Sequence, residues 1–477
     1  MHWEIIIGLE THVQLATQSK LFSGSATTFG AEPNTQACAI DLAMPGMLPV
    51  VNQEAIHMAV KFGVAVNANI NVESQFARKN YFYPDLPKGY QISQHDHPIL
   101  QGGTIEFRMD GEKKQVNLHH AHLEEDAGKS IHGIEMGMTG VDLNRAGTPL
   151  LEIVTDPDLR SATEVIAYLK TLRNLVRALG ISDANMQEGS FRCDVNVSIR
   201  RQGATEYGMR TEIKNLNSFR FIEKAIQFES KRQIDLLQSG QSVAQETRLY
   251  DEQKQITKSM RSKEDSPDYR YFPDPDLLPI VVSEALINEV RANLPELPNA
   301  KMERYQTAFQ LSSEEADKIV NNPDLCLFFE ETITKFSVPE KMAANWLVGD
   351  ISALLNKEDI SLAEAKLKPS HLAKLLERVN NQIISTSIGK QILNDIWAHG
   401  GEVDAIIHSK DLQQISDTNE LETIIDKIIA DNPNQVEQIR NGKTKVLTFF
   451  VGQIMKATKG TANPGQVNSL LKAKLGL

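Results

Sequence analysis

Glu10, His12 and Gln14 recur at every second position of an opening segment whose other residues are mostly apolar, Trp3-Glu4-Ile5-Ile6-Ile7-Gly8-Leu9-Glu10-Thr11-His12-Val13-Gln14-Leu15. Side chains of a strand alternate between its two faces. Ile5, Ile7, Leu9, Val13 and Leu15, with Thr11 among them, therefore share one side, and Glu10, His12 and Gln14 the other. A carboxylate and an imidazole two residues apart on a stiff strand can hold a cation or a proton between them. A second polar run, Asn117-Leu118-His119-His120-Ala121-His122-Leu123-Glu124-Glu125-Asp126-Ala127-Gly128-Lys129, repeats the pattern. Alternation puts His120, His122, Glu124 and Asp126 on one face, and Ala121, Leu123 and Glu125 on the other. Neighbouring carboxylates repel one another and resist ionisation unless a cation is present. Oxygen-rich ligation with an imidazole suits Mg2+ or Mn2+ better than structural zinc. The plainer alternative for this run is the exposed acidic end of a hairpin.

Cations and aromatics interleave in Arg78-Lys79-Asn80-Tyr81-Phe82-Tyr83-Pro84-Asp85-Leu86-Pro87-Lys88-Gly89-Tyr90-Gln91. Such a loop can stack a base and clamp phosphates. Lys79 and Lys88 are placed to neutralise phosphate charge or a developing oxyanion. The alternative is an aromatic-stapled loop with surface lysines. Leu143 to Asp158 turns into a strand that carries Glu152, and the segments Gln187 to Asn196 and Arg210 to Phe219 again set Glu, Asp, Arg, Lys and Asn at strand and turn positions. The sequence has no GxxxxGK[ST] loop and no GxGxxG, so a nucleotide would need another cradle. No GxSxG elbow and no cysteine motif marks a nucleophile.

The elements that must position these groups are strands and helices of an α+β chain. Strand patterns run over Trp3 to Leu15, Gly103 to Met109, Lys114 to Glu124, Leu150 to Thr155 and Cys193 to Arg200, and helical patterns over Gln53 to Val64, Ala162 to Leu179 and Phe219 to Gln238. Ser161 and Thr163 stand at an N-cap position, Glu164 suits the first turn, and Gly180 suits the stop. Between Ser259 and Pro279, four prolines argue against a helix or a central strand, and the charge and aromatics there argue for a functional loop over a plain tether. Beyond Pro295 and Pro298 helical periodicity dominates. Ser312-Ser313-Glu314-Glu315 reads as a helix start. Short helices are expected over Ser370 to Val379, Ser387 to His399, Glu420 to Asp431, Asn434 to Asn441 and Thr444 to Thr458, with a second break near Gly400-Gly401.

A length of 477 residues allows two to four domains. No apolar run approaches the roughly 20 residues that span a bilayer. Cys38, Cys193 and Cys326 are far apart and form no CxxC pair, which gives no support to a disulfide framework or zinc knuckle and fits a reducing cytoplasm. Because the first strand begins at the third residue, no signal or transit peptide is expected. The net charge of −12 argues against a general nucleic-acid coat. Yet no acidic residue follows Glu437, whereas Arg440, Lys443, Lys445, Lys456, Lys459, Lys472 and Lys474 do. A basic tail on an acidic body suits a local phosphate contact; a solvated lysine-rich helix surface is the alternative.

Five segments together resemble the B subunit of the bacterial glutamyl/aspartyl-tRNA amidotransferases: Ile7 to Leu15, Lys79 to Gln91, His122 to Lys129, Arg210 to Phe219, and Tyr269-Arg270-Tyr271-Phe272-Pro273-Asp274-Pro275-Asp276-Leu277. The likeness covers nearly the whole chain. One departure is visible, since a four-cysteine zinc site of some members is impossible with three cysteines. The resemblance implies a cradle-like mixed α/β catalytic domain over 1–293, a helical domain over 294–400 and a basic helical tail over 401–477 that contacts tRNA. It implies ATP-dependent phosphorylation of the side-chain carboxylate of a mischarged Glu-tRNA(Gln) or Asp-tRNA(Asn), then displacement by ammonia. The ammonia would come from an amidase-type glutaminase partner, the A subunit of such enzymes, with a small C subunit completing a cytoplasmic heterotrimer away from any membrane. ATP and Mg2+ are the implied cofactors. Glu10, His12 and one or both of Glu124 and Glu125 are then metal candidates, with Glu152 further back. Alternation favours Glu124, and a bulge would exchange it for Glu125. Lys79, Lys88 and Arg192 are candidates for contact with cofactor phosphate or an oxyanion, while Glu125 or Lys88 could line an ammonia path. Two rival readings stand beside this one. One is a non-catalytic tRNA-binding scaffold; the other is a free-standing metal-dependent kinase or ligase of a small carboxylic acid.

Overall fold

The computed structural model describes residues 2–133, 137–262, 268–410, 412, 418–440, 446–458 and 462–476. They form an α+β chain that divides into two compact units, 1–300 and 301–477. The first unit is organised by one large sheet. Its chain begins with β1 (Trp3–Gln14) and helix α1 (Gln53–Ala65), followed by β2 (Ala77–Asn80), β3 (Tyr90–Ser93), β4 (Thr104–Met109), β5 (Glu112–Glu125) and β6 (Pro149–Thr155). Helix α2 (Ala162–Ala178), β7 (Phe191–Arg201), β8 (Thr211–Lys214), helix α3 (Phe219–Gln238), β9 (Glu246–Asp251), β10 (Ile256–Ser262) and β11 (Phe272–Pro273) complete the set used below.

The central order is β10-β9-β8-β7-β1-β6-β5, extended by the short strands Leu100–Gln101 and Asn69–Ile70, with β4 paired to β5. Pairing is antiparallel except between β8 and β9. The β4–β5 hairpin closes on Asp110-Gly111, both with positive φ (53° and 83°), a two-residue turn whose twist matches that of the strands.

From Ile7 to Gln14 the alternation read in β1 is the alternation of its burial; before that point Ile6 is buried and Ile5 only partly so. Ile7, Leu9, Thr11 and Val13 are buried, while Glu10, His12 and Gln14 are only partly covered. The apolar side meets Leu123, Leu151, Ile153, Val195 and Val197 in one core, which α1, α2 and α3 close. Each fully buried aliphatic side chain there contributes about 1.5–3 kcal/mol. Ser161 caps α2 by accepting from the Glu164 N–H, and Gly180 takes φ 67° just past its end.

Residues 259–262, expected to belong to an irregular loop, instead continue β10 against β9. That stretch contains no proline; the four prolines lie later, at 267, 273, 275 and 279. Pro273 enters a strand only at an edge, where β11 flanks β2 in a three-stranded sheet with β3. Residues 263–267 of that loop lie outside the described residues.

The second unit is helical. Ser312 and Glu315 form a reciprocal capping box on the helix Ser313–Val320. Helices Pro369–Asn380, Thr386–His399, Thr418–Asp431, Pro433–Arg440, Leu447–Ala457 and Pro464–Leu475 follow. One apolar cluster gathers residues between Met302 and Leu412, another those between Leu421 and Leu475. Lys443, Lys445 and Lys459 of the basic tail lie outside the described residues, as does the Arg440 side chain.

Candidate active site

Strand register assembles the site. Cα partners on β1 and its neighbours place Arg192, His12, Glu152 and His122 in one row across β7, β1, β6 and β5. Strands lie about 4.8 Å apart, so the side chains of such a row touch. His12 Nε2 lies 3.3 Å from Glu152 Oε2 and 3.4 Å from Glu124 Oε1. His122 Nε2 approaches the same two groups, at 3.3 Å from Glu152 Oε2 and 3.8 Å from Glu124 Oε2. His12, Glu124 and Glu152 thus offer one imidazole and two carboxylates with ligand atoms within 4.8 Å of one another.

Glu10 stands one row further along, paired with Asp194 on β7. Asp194, Glu10 and Glu212 of β8 form a second group whose ligand atoms likewise lie within 4.8 Å of one another. The structure therefore separates the two β1 residues expected to share one ion, giving each its own set of partners. Asn196 donates to Glu10 Oε1 at 2.9 Å, and Lys214 Nζ reaches Asp194 at 2.6 Å and Glu212 at 2.9 Å. Sequence reasoning missed Asp194, Asn196, Glu212 and Lys214 as individual candidates. Their signal was the alternation Arg192-Cys193-Asp194-Val195-Asn196 and Thr211-Glu212-Ile213-Lys214, whose polar members face one way.

His12 and Glu152 of the first group and all three carboxylates of the second line one cavity of about 340 Å³, together with Lys79, Arg210 and Tyr269. Lys79 Nζ lies 5.0 Å from the Tyr269 ring centroid. Burial opposes its charge, but Glu124 and Glu152 outweigh it and hold the ammonium above its usual range. His12 and His122 behave alike: burial disfavours the imidazolium, yet Glu152 and Glu124 push them to about 9 and about 10. Glu152 is held well below the usual carboxylate range by the same two rings, against its burial. Glu10 moves the other way, raised by burial and then by Glu152 and Glu212. His120 falls to about 4 through burial and the neighbouring imidazoles His122 and His119.

This electrostatic pattern asks for positive charge. The donor sets fit a hard divalent cation, the second being all oxygen. His122 Nδ1 is buried without a hydrogen-bond partner, so the hydrogen-bonding hold on this imidazole comes from the carboxylate side, while its face stacks on His120 at 5.2 Å between centroids.

Other expected residues sit nearby with different company. Glu125 takes the opposite side of β5 from Glu124, where it pairs with Lys88 and accepts from the Ile92 N–H at 2.8 Å. The only register shift in the β5–β6 pairing falls before His120, so alternation runs unbroken to Glu125. Arg192 donates to Asp126 at 3.0 Å, and Arg145 Nε lies 3.5 Å from the same oxygen. Arg192 is thus already ion-paired.

Comparison with known proteins agrees along the chain. Residues 5–288 match the GatB/GatE catalytic domain and residues 327–475 match a GatB domain. The chain is 56% identical over 476 residues to the B subunit of the aspartyl/glutamyl-tRNA(Asn/Gln) amidotransferase of Thioalkalivibrio sulfidiphilus, covering all of both chains. It is 55% identical over 478 residues to the B subunit of the same name from Coxiella burnetii, again covering all of both. To that from Halorhodospira halophila it is 55% identical over 476 residues, covering 100% of this chain and 99% of the relative.

Proposed function

Given that the chain belongs to the GatB family of tRNA-dependent amidotransferase subunits, we propose that its charged cavity converts the side-chain carboxylate of a mischarged Glu-tRNA(Gln) or Asp-tRNA(Asn) into the amide. The carboxylate oxygen attacks the γ-phosphorus of ATP, forming an acyl phosphate and releasing ADP. Ammonia then attacks the acyl carbon, and inorganic phosphate leaves. The observation that carries this reading is the meeting of residues from two carboxylate-rich groups and a half-buried lysine at one cavity.

His12, Glu124 and Glu152 would hold one Mg2+, and Glu10, Asp194 and Glu212 a second. When bound, such ions offset phosphate charge in phosphoryl transfer. The chain's own groups do the rest. Lys79, kept cationic by Glu124 and Glu152, offers charge to a phosphate or to the oxyanion formed at the acyl carbon. Lys214 ties Asp194 to Glu212 and so sets the spacing of that carboxylate pair. Glu152 orients two imidazoles at once. Lys88 and Glu125, on the other side of β5, suit a polar path for ammonia toward the acyl group.

Ammonia requires a source, and the reading supplies one in an amidase-type glutaminase partner, held with a small third protein in a cytoplasmic heterotrimer. We assign catalysis to 1–293, a helical region to 294–400 and tRNA contact to 401–477. Exposed Lys456 and Lys472 support the last assignment. Lys474 is less available, since it pairs with Glu422 and Asp426.

The test is a reconstituted assay with the glutaminase partner, mischarged tRNA, ATP, Mg2+ and glutamine. Amidated aminoacyl-tRNA should form. Glu10→Ala should abolish its formation while tRNA binding survives. Undiminished transamidation in that variant would leave a scaffold role instead.

A further inference from the structure

Glu212 is held at both of its oxygens. Lys214 Nζ lies 2.9 Å from Oε1, and the Thr247 hydroxyl donates to Oε2 at 2.8 Å. A donor on each oxygen fixes the plane of the carboxylate as well as its place. It does not exhaust the group, which offers about four lone-pair sites when ionised. The two carboxylates beside it are steered as well, Glu10 by Asn196 and Asp194 by Lys214. Thr247 differs from these partners in coming from β9, a strand that supplies none of the three carboxylates. β8 and β9 pair in parallel, and that register sets Glu212 directly beside Thr247.

We propose that Thr247 is a positioning residue for divalent-cation binding at the Glu10, Asp194 and Glu212 group: its hydroxyl aims the Glu212 carboxylate, and a buried ion-pair network behind the sheet holds Thr247 in place. The proposal rests on the reading of that group as a second Mg2+ site and adds what gives the site its geometry.

Three details support it. Thr247 is buried and lines the charged cavity. The pairing of β9 with β10 passes from Thr247 opposite Arg261 to Arg248 opposite Ser259, so Met260 is an extra residue and forms a bulge at this point. A bulge bends its strand and re-aims side chains, and bulges gather beside active sites. Arg248, the next residue, turns to the other side of the sheet. Its Nε donates to the Thr257 hydroxyl at 2.9 Å and its Nη2 to the Thr257 carbonyl at 2.7 Å. The same Nε lies 3.4 Å from Glu229 of α3, a fully buried carboxylate that also accepts from Thr257, Arg232 and Gln233 at 2.6–2.8 Å. Buried charges bonded in this way make their surroundings rigid. They anchor the backbone next to Thr247, and the threonine passes that rigidity to Glu212. A threonine that only filled space would serve the fold equally well with its hydroxyl replaced by a methyl group.

Titration of the complete complex with Mn2+, followed by electron paramagnetic resonance of the free ion, tests this without turnover. The unsubstituted chain should take up an ion at each of the two groups, and Glu212→Gln should lose one of them. Thr247→Val, which keeps the shape and removes the donor, should bind that ion about tenfold or more weakly and the other as before. Thr247→Ser, which keeps the hydroxyl, should restore it to within about twofold. In the transamidation assay the Mg2+ concentration giving half the maximal rate should rise in step for Thr247→Val, with a much smaller change in kcat at saturating Mg2+. Unaltered uptake of both ions in Thr247→Val overturns the proposal. Equal weakening of both ions overturns it too, as does a Thr247→Ser variant as weak as Thr247→Val. Thr247→Ala decides the matter if Thr247→Val does not fold. Failure of the underlying reading looks different: the unsubstituted complex would then hold no ion that Glu212→Gln removes, and the proposal would fall with it.

Discussion

Glu152 Oε2 is approached by two imidazoles at the same distance, 3.3 Å, one from each neighbouring strand. Removing that carboxylate leaves both rings with Glu124 as their one acidic neighbour and takes one donor from the His12 group. Glu152→Gln should therefore lower the transamidation rate by about 100-fold or more at saturating substrates, read in the reconstituted assay. A second buried charge lies away from the cavity. Lys20 is fully buried, with Nζ 3.1 Å from the Leu143 carbonyl and 3.4 Å from Asp41. Asp41 also accepts from Ser23, Ser25 and the Cys38 N–H at 2.7–2.9 Å. Burial opposes its ionised form, but the Cys38 N–H, Ser25, Lys20 and Ser23 together hold the carboxyl below its ordinary 3.8. A depressed carboxylate stabilises the fold fully above its unfolded value and ceases to do so as pH falls through the folded one. Asp41→Asn should thus cost about 3 kcal/mol near neutral pH, because Lys20 stays buried without its counter-charge. Urea melts at successive pH values should show that gap narrowing below about pH 4.

At the scale of elements, α1 is joined to the Lys20 segment through its cap. The Asn52 side chain accepts from the Glu54 N–H and donates to the Ser19 and Lys20 carbonyls. Asn52→Ala should cost about 1–2 kcal/mol, the upper part of the range for an N-cap because two further bonds are lost; thermal unfolding would report it. β5 shows how far local pattern carries. The alternation from His120 to Glu125 was legible, and it separates Glu124 from Glu125 as the residues themselves required. Less legible was β10, where proline content over 259–279 hid a proline-free start able to pair with β9. The turn at Asp110-Gly111 is a local signal of the same kind as the strands it joins, and it sets where β5 begins.

For the whole molecule, a net charge of −12 coexists with a tail that has no acidic residue after Glu437. Among its described residues, Lys456 and Lys472 are exposed, whereas Lys474 is engaged by two acidic side chains. If the first two meet tRNA phosphates, Lys456→Ala with Lys472→Ala should raise KM for tRNA. The dependence of log KM on log salt should become shallower by about one per lysine removed. Lys474→Ala should move that slope less. Among the described residues, no helix is long and apolar enough to cross a membrane.

From the sequence by itself came the polar and apolar faces of β1 and β5, with Glu10, His12 and Glu124 on polar ones, and the presence of Glu152 on a strand. Alternation is a property of a single extended backbone and needs no partner. Which strand lies beside which was decided only by the tertiary structure. Placing β7 and β8 on one side of β1, and β6 and β5 on the other, gives Glu10 the company of Asp194 and Glu212 and gives His12 that of Glu124 and Glu152. That choice rests on burial of residues far apart in the chain, such as Leu9 against Val195 and Val13 against Leu151. A one-residue slip would turn each polar face into the core.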